Sequence, residues 1–336
     1  MSISTLRDRV RSELTSFAWD QWAQMGVFAP SERRDQWAAD PEALLLFSFE
    51  IGRDDPRLFD EVLDWMLTNE RLVSVQRLRN LSTDDDRDLA EAALAWVARD
   101  GPSARFKAPA GTRKQGGDPK PLFRTVAQQV RHPDDVFLSF GLLKPETPPS
   151  RKSRPPDTEK PINFAFRLRN LFGLGSRAEV VRYLLTFSET AVPAQSIAEA
   201  AGYAKRNVNE TLNALVASRT VTTFEVGNER RYLLNRALWD QLLELQPGAR
   251  PTYRDWPRLL SALRHLTRWL EDGRLDELSP YMLGSEARTL MDELGSSFAS
   301  AGVLLSATPS AQGEEYWTVF EESIERTLSA LTHGWV

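Results

Sequence analysis

Two stretches rich in glycine and proline interrupt this chain and limit what it can fold into. Residues 101–121 contain four glycines among several lysines and arginines, and residues 144–161 contain six prolines. Proline removes a backbone donor and glycine favours turns, so neither stretch is expected to form a long helix or strand. The sequence therefore predicts folded regions on either side of a basic linker, 101–162, which includes a short amphipathic segment at 122–143.

Outside these stretches the apolar residues recur at helical spacing. Leu58, Val62 and Met66 in the first hundred residues, and Leu259, Leu263 and Leu266 near the C-terminus, each fall on one face of a helix. A chain of 336 residues is too long for one ordinary core. We therefore predict a mainly α protein with helical regions at 1–100 and 250–336.

Between them, residues 176–218 have the signals of three consecutive helices. Ser176 and Glu179 have the spacing of a capping box that opens the first helix, and Pro193 suits the start of the second. Gly202 is placed to end the second helix, because glycine adopts positive φ without strain. The third helix is predicted over residues 204–218.

The third helix is amphipathic. Val208, Leu212, Leu215 and Val216 fall on one face, and the rest of its surface is polar and cationic. After it, the β-rich run 221–226, the turn Gly227-Asn228 and the run 229–234 predict a two-stranded hairpin.

Two helices, a glycine-containing turn, a third helix and a hairpin follow one another in the order of a winged helix-turn-helix. Residues 163–236, with Ala200-Ala201-Gly202-Tyr203-Ala204-Lys205-Arg206-Asn207-Val208 at the turn, resemble the MarR/ArsR-type winged helix of bacterial DNA-binding regulators. The resemblance covers less than a quarter of the chain, and no family is recognised in the flanking regions.

The resemblance implies that the third helix enters the major groove of double-stranded DNA and that the hairpin forms a two-stranded β-wing beside it. Lysine and arginine in the first turn suit phosphates or base edges, and asparagine pairs best with adenine. The expected DNA-binding residues are Lys205, Arg206, Asn207, Asn209, Asn213, Arg219, Asn228, Arg230 and Arg231.

An alternative is that the winged helix binds protein. Residues 176–249 carry 8 Lys+Arg against 8 Asp+Glu, whereas a DNA-binding surface is usually basic. The protein would then be a non-catalytic subunit, such as an antitoxin or a complex scaffold.

Charge is strongly segregated along the chain. Residues 1–100 hold 12 Lys+Arg against 20 Asp+Glu, giving −8, and residues 101–175 hold 14 against 6, giving +8. A basic middle is typical of a polyanion-binding surface, in which the loop at 105–120 would follow phosphates. A basic tract that pairs with the chain's own acidic N-terminal region is equally consistent with this charge pattern. If the protein has a protein partner, the acidic N-terminal region is the surface expected to bind it.

Few residues suit catalysis or metal binding. Zero cysteines exclude disulfides and thiolate sites, and the three histidines are widely separated. We therefore expect no enzyme activity, metal or cofactor, although a site built from distant carboxylates would leave no sequence signal. No apolar run approaches the length of a membrane span or a signal core, so a cytoplasmic protein without membrane contact is expected.

The sequence thus predicts four regions: a helical domain at 1–100, the linker at 101–162, a winged helix-turn-helix at 163–249 and a helical domain at 250–336. The last is expected to form a homodimer, or else to pack on the chain's own N-terminal helices. The favoured function is sequence-specific DNA binding by a transcriptional regulator, with repression as the expected direction.

Overall fold

The prolines and short polar residues of the N-terminal region begin its helices. In the computed structural model, α2 and α3 each have proline in the first turn and an aspartate whose side chain caps the first amides. Serine or threonine precedes the other three helices. These five helices are α1 (Ile3–Gln24), α2 (Pro41–Ile51), α3 (Pro56–Thr68), α4 (Val75–Leu81) and α5 (Asp84–Asp100).

Eight parts of the chain are described by the structure, and every structural statement below concerns them alone. They are residues 2–31, 36–101, 106, 118–125, 130–187, 190–246, 250–303 and 311–333. The predicted mainly α architecture is confirmed, because fourteen α-helices and five short strands form in these parts.

The stretch interpreted as a linker packs on the N-terminal helices where the structure describes it. β1 (Lys120–Pro121) and β2 (Leu142–Leu143) pair in parallel on either side of α6 (Asp135–Ser139). The extended segment that follows is bonded to α3, because Asp64 accepts hydrogen bonds from the backbone amides of Arg151 and Ser153.

Residues 164–242 form a second group of elements. Its helices are α7 (Phe164–Phe172), α8 (Ser176–Thr186), α9 (Ala194–Ala201), α10 (Lys205–Ala217) and α11 (Arg236–Leu242). Its strands are β3 (Val192–Pro193), β4 (Val221–Val226) and β5 (Glu229–Leu234). The predicted two-stranded hairpin is present as β4 and β5. A further strand that was not predicted, β3, pairs with β5 to give an antiparallel sheet of order β3-β5-β4.

The capping box predicted at the start of α8 is also wrong. Gly175 occupies the cap position without a side-chain bond, and Ser176 is already helical. The Ser176 hydroxyl lies 2.8 Å from the Thr211 hydroxyl of α10, and Glu179 is buried between arginines. Ion pairs with Arg169 of α7 and with Arg182, one helical turn further along α8, take the place of the local capping bond.

The C-terminal helices pack on the N-terminal ones. They are α12 (Trp256–Leu270), α13 (Pro280–Ser300) and α14 (Gly313–His333). The Trp256 ring stacks on Phe17 of α1 at 5.9 Å, and its indole N–H donates to the carbonyl oxygen of Ala38. This is the second arrangement that the sequence left open for residues 250–336, while homodimerisation stays a prediction.

Two hydrophobic cores result. One combines apolar residues of α1–α5 with those of α12–α14, and the other lies within residues 164–243 together with Ala38. Among the described helices, none combines the length and apolar character required to span a membrane.

Candidate nucleic-acid interface

The turn between α9 and α10 has the geometry that its sequence dictates. Gly202 ends α9 with φ +68°, a left-handed conformation that glycine adopts without strain. Behind the turn, Val208 and Leu212 of α10 are fully buried against α8 and α9. The packed face of α10 fixes its rotation and determines which side chains face outward.

Four of the predicted DNA-binding residues lie along the outward side of α10. Lys205, Asn209 and Asn213 follow one another at intervals of four residues, and Arg206 lies beside the first of them. Lys205, Arg206 and Asn213 are exposed and Asn209 is half-buried. Together they form a polar strip about two turns long, which we call the α10 strip.

The strip is only weakly neutralised. The Arg206 side chain is 88% exposed and pairs with Glu210 at 3.2 Å, itself 67% exposed. An exposed pair of this spacing contributes only about 0.3–0.5 kcal/mol, so a phosphate could displace Glu210 at little cost.

Asn207 does not belong to the strip. It is half-buried, and its backbone carbonyl oxygen lies 3.4 Å from the Ser176 hydroxyl of α8. The i, i+4 geometry of a helix separates position 207 from 205 and 209. Its side chain is therefore not placed with the other candidates.

Arg230 and Arg231, which are adjacent in β5, lie on opposite faces of the hairpin. Arg230 lies over the ring of buried Tyr232, and Arg231 pairs across the strands with Phe224 and forms an ion pair with Glu229 at 3.0 Å. Successive side chains of a strand point to opposite faces, so only one of the two can face a given surface. Asn228 is exposed in the turn.

Arg219 follows α10 in an uncommon backbone conformation. Its φ is +58°, in the left-handed region, and the side chain is exposed. Helices commonly end with such a residue, but glycine is the usual choice because other residues are strained there. An arginine kept at this position places a cation between α10 and the hairpin.

The first turn of α10 offers free backbone amides. Ala204 occupies the cap position and its side chain forms no bond, in contrast to the aspartate caps of α2 and α3. Uncapped amides at a helix N-terminus and the helix dipole both favour an anion. Phosphate oxygens would supply the missing acceptors.

Sequence reasoning missed the hydrogen bonds that α4 makes with the turn between α9 and α10. The Arg77 Nε–H donates to the carbonyl oxygen of Ala201 at 2.7 Å, and the Asn80 amide donates to that of Gly202 at 3.0 Å. The hydroxyls of Ser74 and Tyr203 lie 2.9 Å apart. We call these contacts the α4 clamp.

A buried ion network continues from the clamp. It consists of three carboxylates and three arginines from α2 and its N-cap, α4, α7 and α8, all at most 5% exposed in their side chains: Asp40, Glu42, Arg77, Arg169, Glu179 and Arg182. Equal numbers of opposite charges allow each buried ion to be paired. The only sequence signal was charged residues on otherwise apolar helix faces.

The network holds its carboxylates in the ionised form. Burial opposes ionisation of Glu179, but Arg169 and Arg182 lower its pKa to about 2. Burial likewise opposes the charge of Asp40, and Arg77 and Arg182 bring its pKa well below the usual range.

The basic middle of the chain is paired with acidic N-terminal residues where it is described. Arg124 contacts Asp54 at 2.7 Å and also Glu50, and buried Lys144 contacts Asp60 at 2.7 Å. These contacts favour internal pairing for this part of the basic tract. Most of the loop at 105–120, expected to follow phosphates, lies outside the described residues.

No group of three or more histidine, aspartate or glutamate side chains that could hold a metal ion occurs in the described parts of the chain. Comparisons with protein-family models, with curated proteins and with solved structures found no match for this chain.

Proposed function

We propose that this protein is a sequence-specific DNA-binding transcriptional regulator, acting as a repressor. In this proposal residues 163–236 are a winged helix-turn-helix, α10 lies in the major groove and the β4–β5 hairpin contacts the flanking backbone. The observation that carries the proposal is the α10 strip: cationic and amide side chains face outward beside uncapped helix amides.

The chemistry of the strip matches a duplex. Lys205 and Arg206 in the first turn would meet phosphates or guanine edges, and Asn209 and Asn213 would donate to and accept from adenine. Arg219 and one of the two hairpin arginines would meet phosphates on either side. The α4 clamp would hold the turn at a fixed angle to the remainder of the molecule.

The first test removes the two cations at the start of α10. Lys205→Ala combined with Arg206→Ala should weaken binding to the DNA upstream of the protein's own coding sequence by more than tenfold, measured by gel shift. The slope of log affinity against log salt should also become shallower by up to about 1.8, because each phosphate contact that is lost contributes about 0.9.

The matched control is Arg274→Ala combined with Arg326→Ala. Both arginines are exposed, each pairs with a nearby acid, and neither belongs to residues 163–236. The change in net charge is the same as in the test variant. The control should bind as the wild type does. Equal affinity of the Lys205/Arg206 variant and the wild type would refute the DNA assignment.

A second candidate function is a non-catalytic protein-binding subunit. Phe224 and Val226, near the tip of the hairpin, are 47% and 53% exposed, and apolar side chains at such a place suit a protein partner. Phe224→Ser should then abolish co-elution with that partner while leaving DNA affinity unchanged.

We also propose that the regulator acts as a homodimer. A two-fold pair of α10 helices would bind a near-palindromic site with half-sites about 10 base pairs apart or a multiple of that. Sedimentation of the protein with and without such a duplex tests this part of the proposal.

A further inference from the structure

A cavity of about 280 Å³ lies outside the α10 strip, between the start of α5 and the outer face of α12. Its α12 residues fall on one side of that helix, because Ser261, Arg264, Arg268 and the following Asp272 recur at intervals of three or four. Asp85 of α5 lies on the opposite side. Nothing in the proposed function uses this cavity.

Arg264 lines the cavity and is buried, with its side chain 4% exposed. Its Nη2 contacts Asp86 at 3.1 Å, whereas its Nε–H is buried without an acceptor among the described residues. Burial lowers the pKa of Arg264 to about 10, and Asp86 only partly opposes this effect. The Nε–H is enclosed by protein, so a ligand in the cavity would meet the positive charge of the Arg264 guanidinium, which one carboxylate contacts.

Arg268 is in a different situation. Glu50 contacts it at 2.8 Å, Asp86 at 2.5 Å and Asp85 at 3.7 Å, so its charge is already balanced. Arg264 therefore has one carboxylate partner where Arg268 has three, and its charge favours the carboxylate group of a ligand.

The remaining walls define the rest of the ligand. Asp85, 81% exposed and 3.7 Å from Arg268, and Asp272, 34% exposed and paired with exposed Arg274 at 2.7 Å, lie nearer the solvent. These acids repel a doubly charged phosphate and attract an amine. The Trp269 indole supplies an apolar wall and, for a cation, the face of an aromatic ring.

We propose that this cavity binds a small zwitterion of the amino-acid type. Its carboxylate contacts Arg264 at the inner end, its ammonium group lies between Asp85 and Asp272, and its side chain packs on Trp269. The cavity volume accommodates a molecule of amino-acid size. This proposal requires no DNA, so it is tested independently of the function proposed above.

The test is calorimetric titration of the full chain with each proteinogenic L-amino acid in turn. At least one should bind, and Arg264→Met should weaken its binding at least tenfold. Asp85→Lys, an exposed substitution that leaves the core intact, should also weaken it at least tenfold. Arg258→Met, on the same helix outside the cavity, is the control and should change nothing.

The amine and the carboxylic acid derived from the tightest binder test the ligand class. Each lacks one of the two charged groups, and both should bind at least tenfold more weakly than the amino acid. Absence of binding by every amino acid overturns the proposal. So does unchanged affinity in the folded Arg264→Met or Asp85→Lys variants, or binding of the acid without its amine as tight as that of the amino acid.

Discussion

At Arg219 the backbone conformation lowers the stability of the fold, whereas the exposed side chain is proposed to contact DNA. Its backbone is left-handed, a conformation that costs a non-glycine residue about 1–2 kcal/mol. Its side chain is exposed and makes no ion pair within the described parts of the chain. Strained residues are often found at functional sites, and this one lies between α10 and the hairpin.

Arg219→Gly should therefore raise the free energy of unfolding by up to about 1 kcal/mol, less the entropy that glycine adds to the unfolded chain. The same variant should weaken duplex binding severalfold, because a phosphate contact is lost. Urea unfolding and gel shift measure the two effects. Arg219→Asn, which tolerates the left-handed region, should also lose affinity; if either variant retained it, Arg219 would have no role in binding.

At the scale of elements, local patterns were sufficient for α10 and the hairpin. The helix predicted over 204–218 is present as Lys205–Ala217, because its apolar spacing and the glycine before it are local signals. Strand β3 was missed because two residues carry no pattern. The capping box was wrong because Glu179 pairs with Arg169, ten residues away, and the sequence gives no sign of that contact.

For the candidate site, sequence reasoning identified the exposed residues of α10 but could not show that the backbone of Asn207 contacts α8, or which of Arg230 and Arg231 lies on the face of buried Tyr232. Both depend on the rotation of an element about its axis, which packing sets. The α4 clamp was invisible because Arg77 and Ala201 are 124 residues apart.

The α4 clamp gives an element-scale prediction. Arg77→Met should lower the free energy of unfolding by about 3–5 kcal/mol, because it leaves Asp40 and Glu42 buried with fewer partners. Chemical denaturation measures the loss. Arg87→Met, which removes an exposed pair with Asp84, should cost less than about 1 kcal/mol. Equal losses of unfolding free energy in the two variants would show that the buried network stabilises the fold no more than an exposed ion pair does.

At the scale of the whole molecule, the two ends of the chain form one body. Arg9 of α1 pairs with Glu325 of α14 at 2.7 Å, and Arg7 pairs with Asp276 at 3.0 Å. Sequence patterns predicted the helices at both ends but not their common core, since contacts between residues more than 250 positions apart leave no local signal.

The ion network makes the whole fold sensitive to acid. Glu179 and Asp40 have lowered pKa values, so their contribution is complete above the unfolded-state values near 4 and is lost as pH falls toward about 2. The urea concentration at the midpoint of unfolding should decline steeply as the pH is lowered from about 4.5 to 2. Glu179→Gln should be less stable at pH 7 and show a shallower decline; an unchanged acid dependence would contradict the role of this carboxylate.

The central claim is that the α10 strip contacts duplex DNA, and photo-crosslinking from the strip tests it most directly. A benzophenone amino acid is placed at exposed Asn213, and cells producing the full chain are irradiated. The protein should form a crosslinked adduct with DNA, and nuclease digestion should reduce the size of that adduct. The same group at exposed Ser300 of α13 should yield no such adduct. A nuclease-resistant adduct with another protein from position 213, or no adduct at all, would contradict the claim.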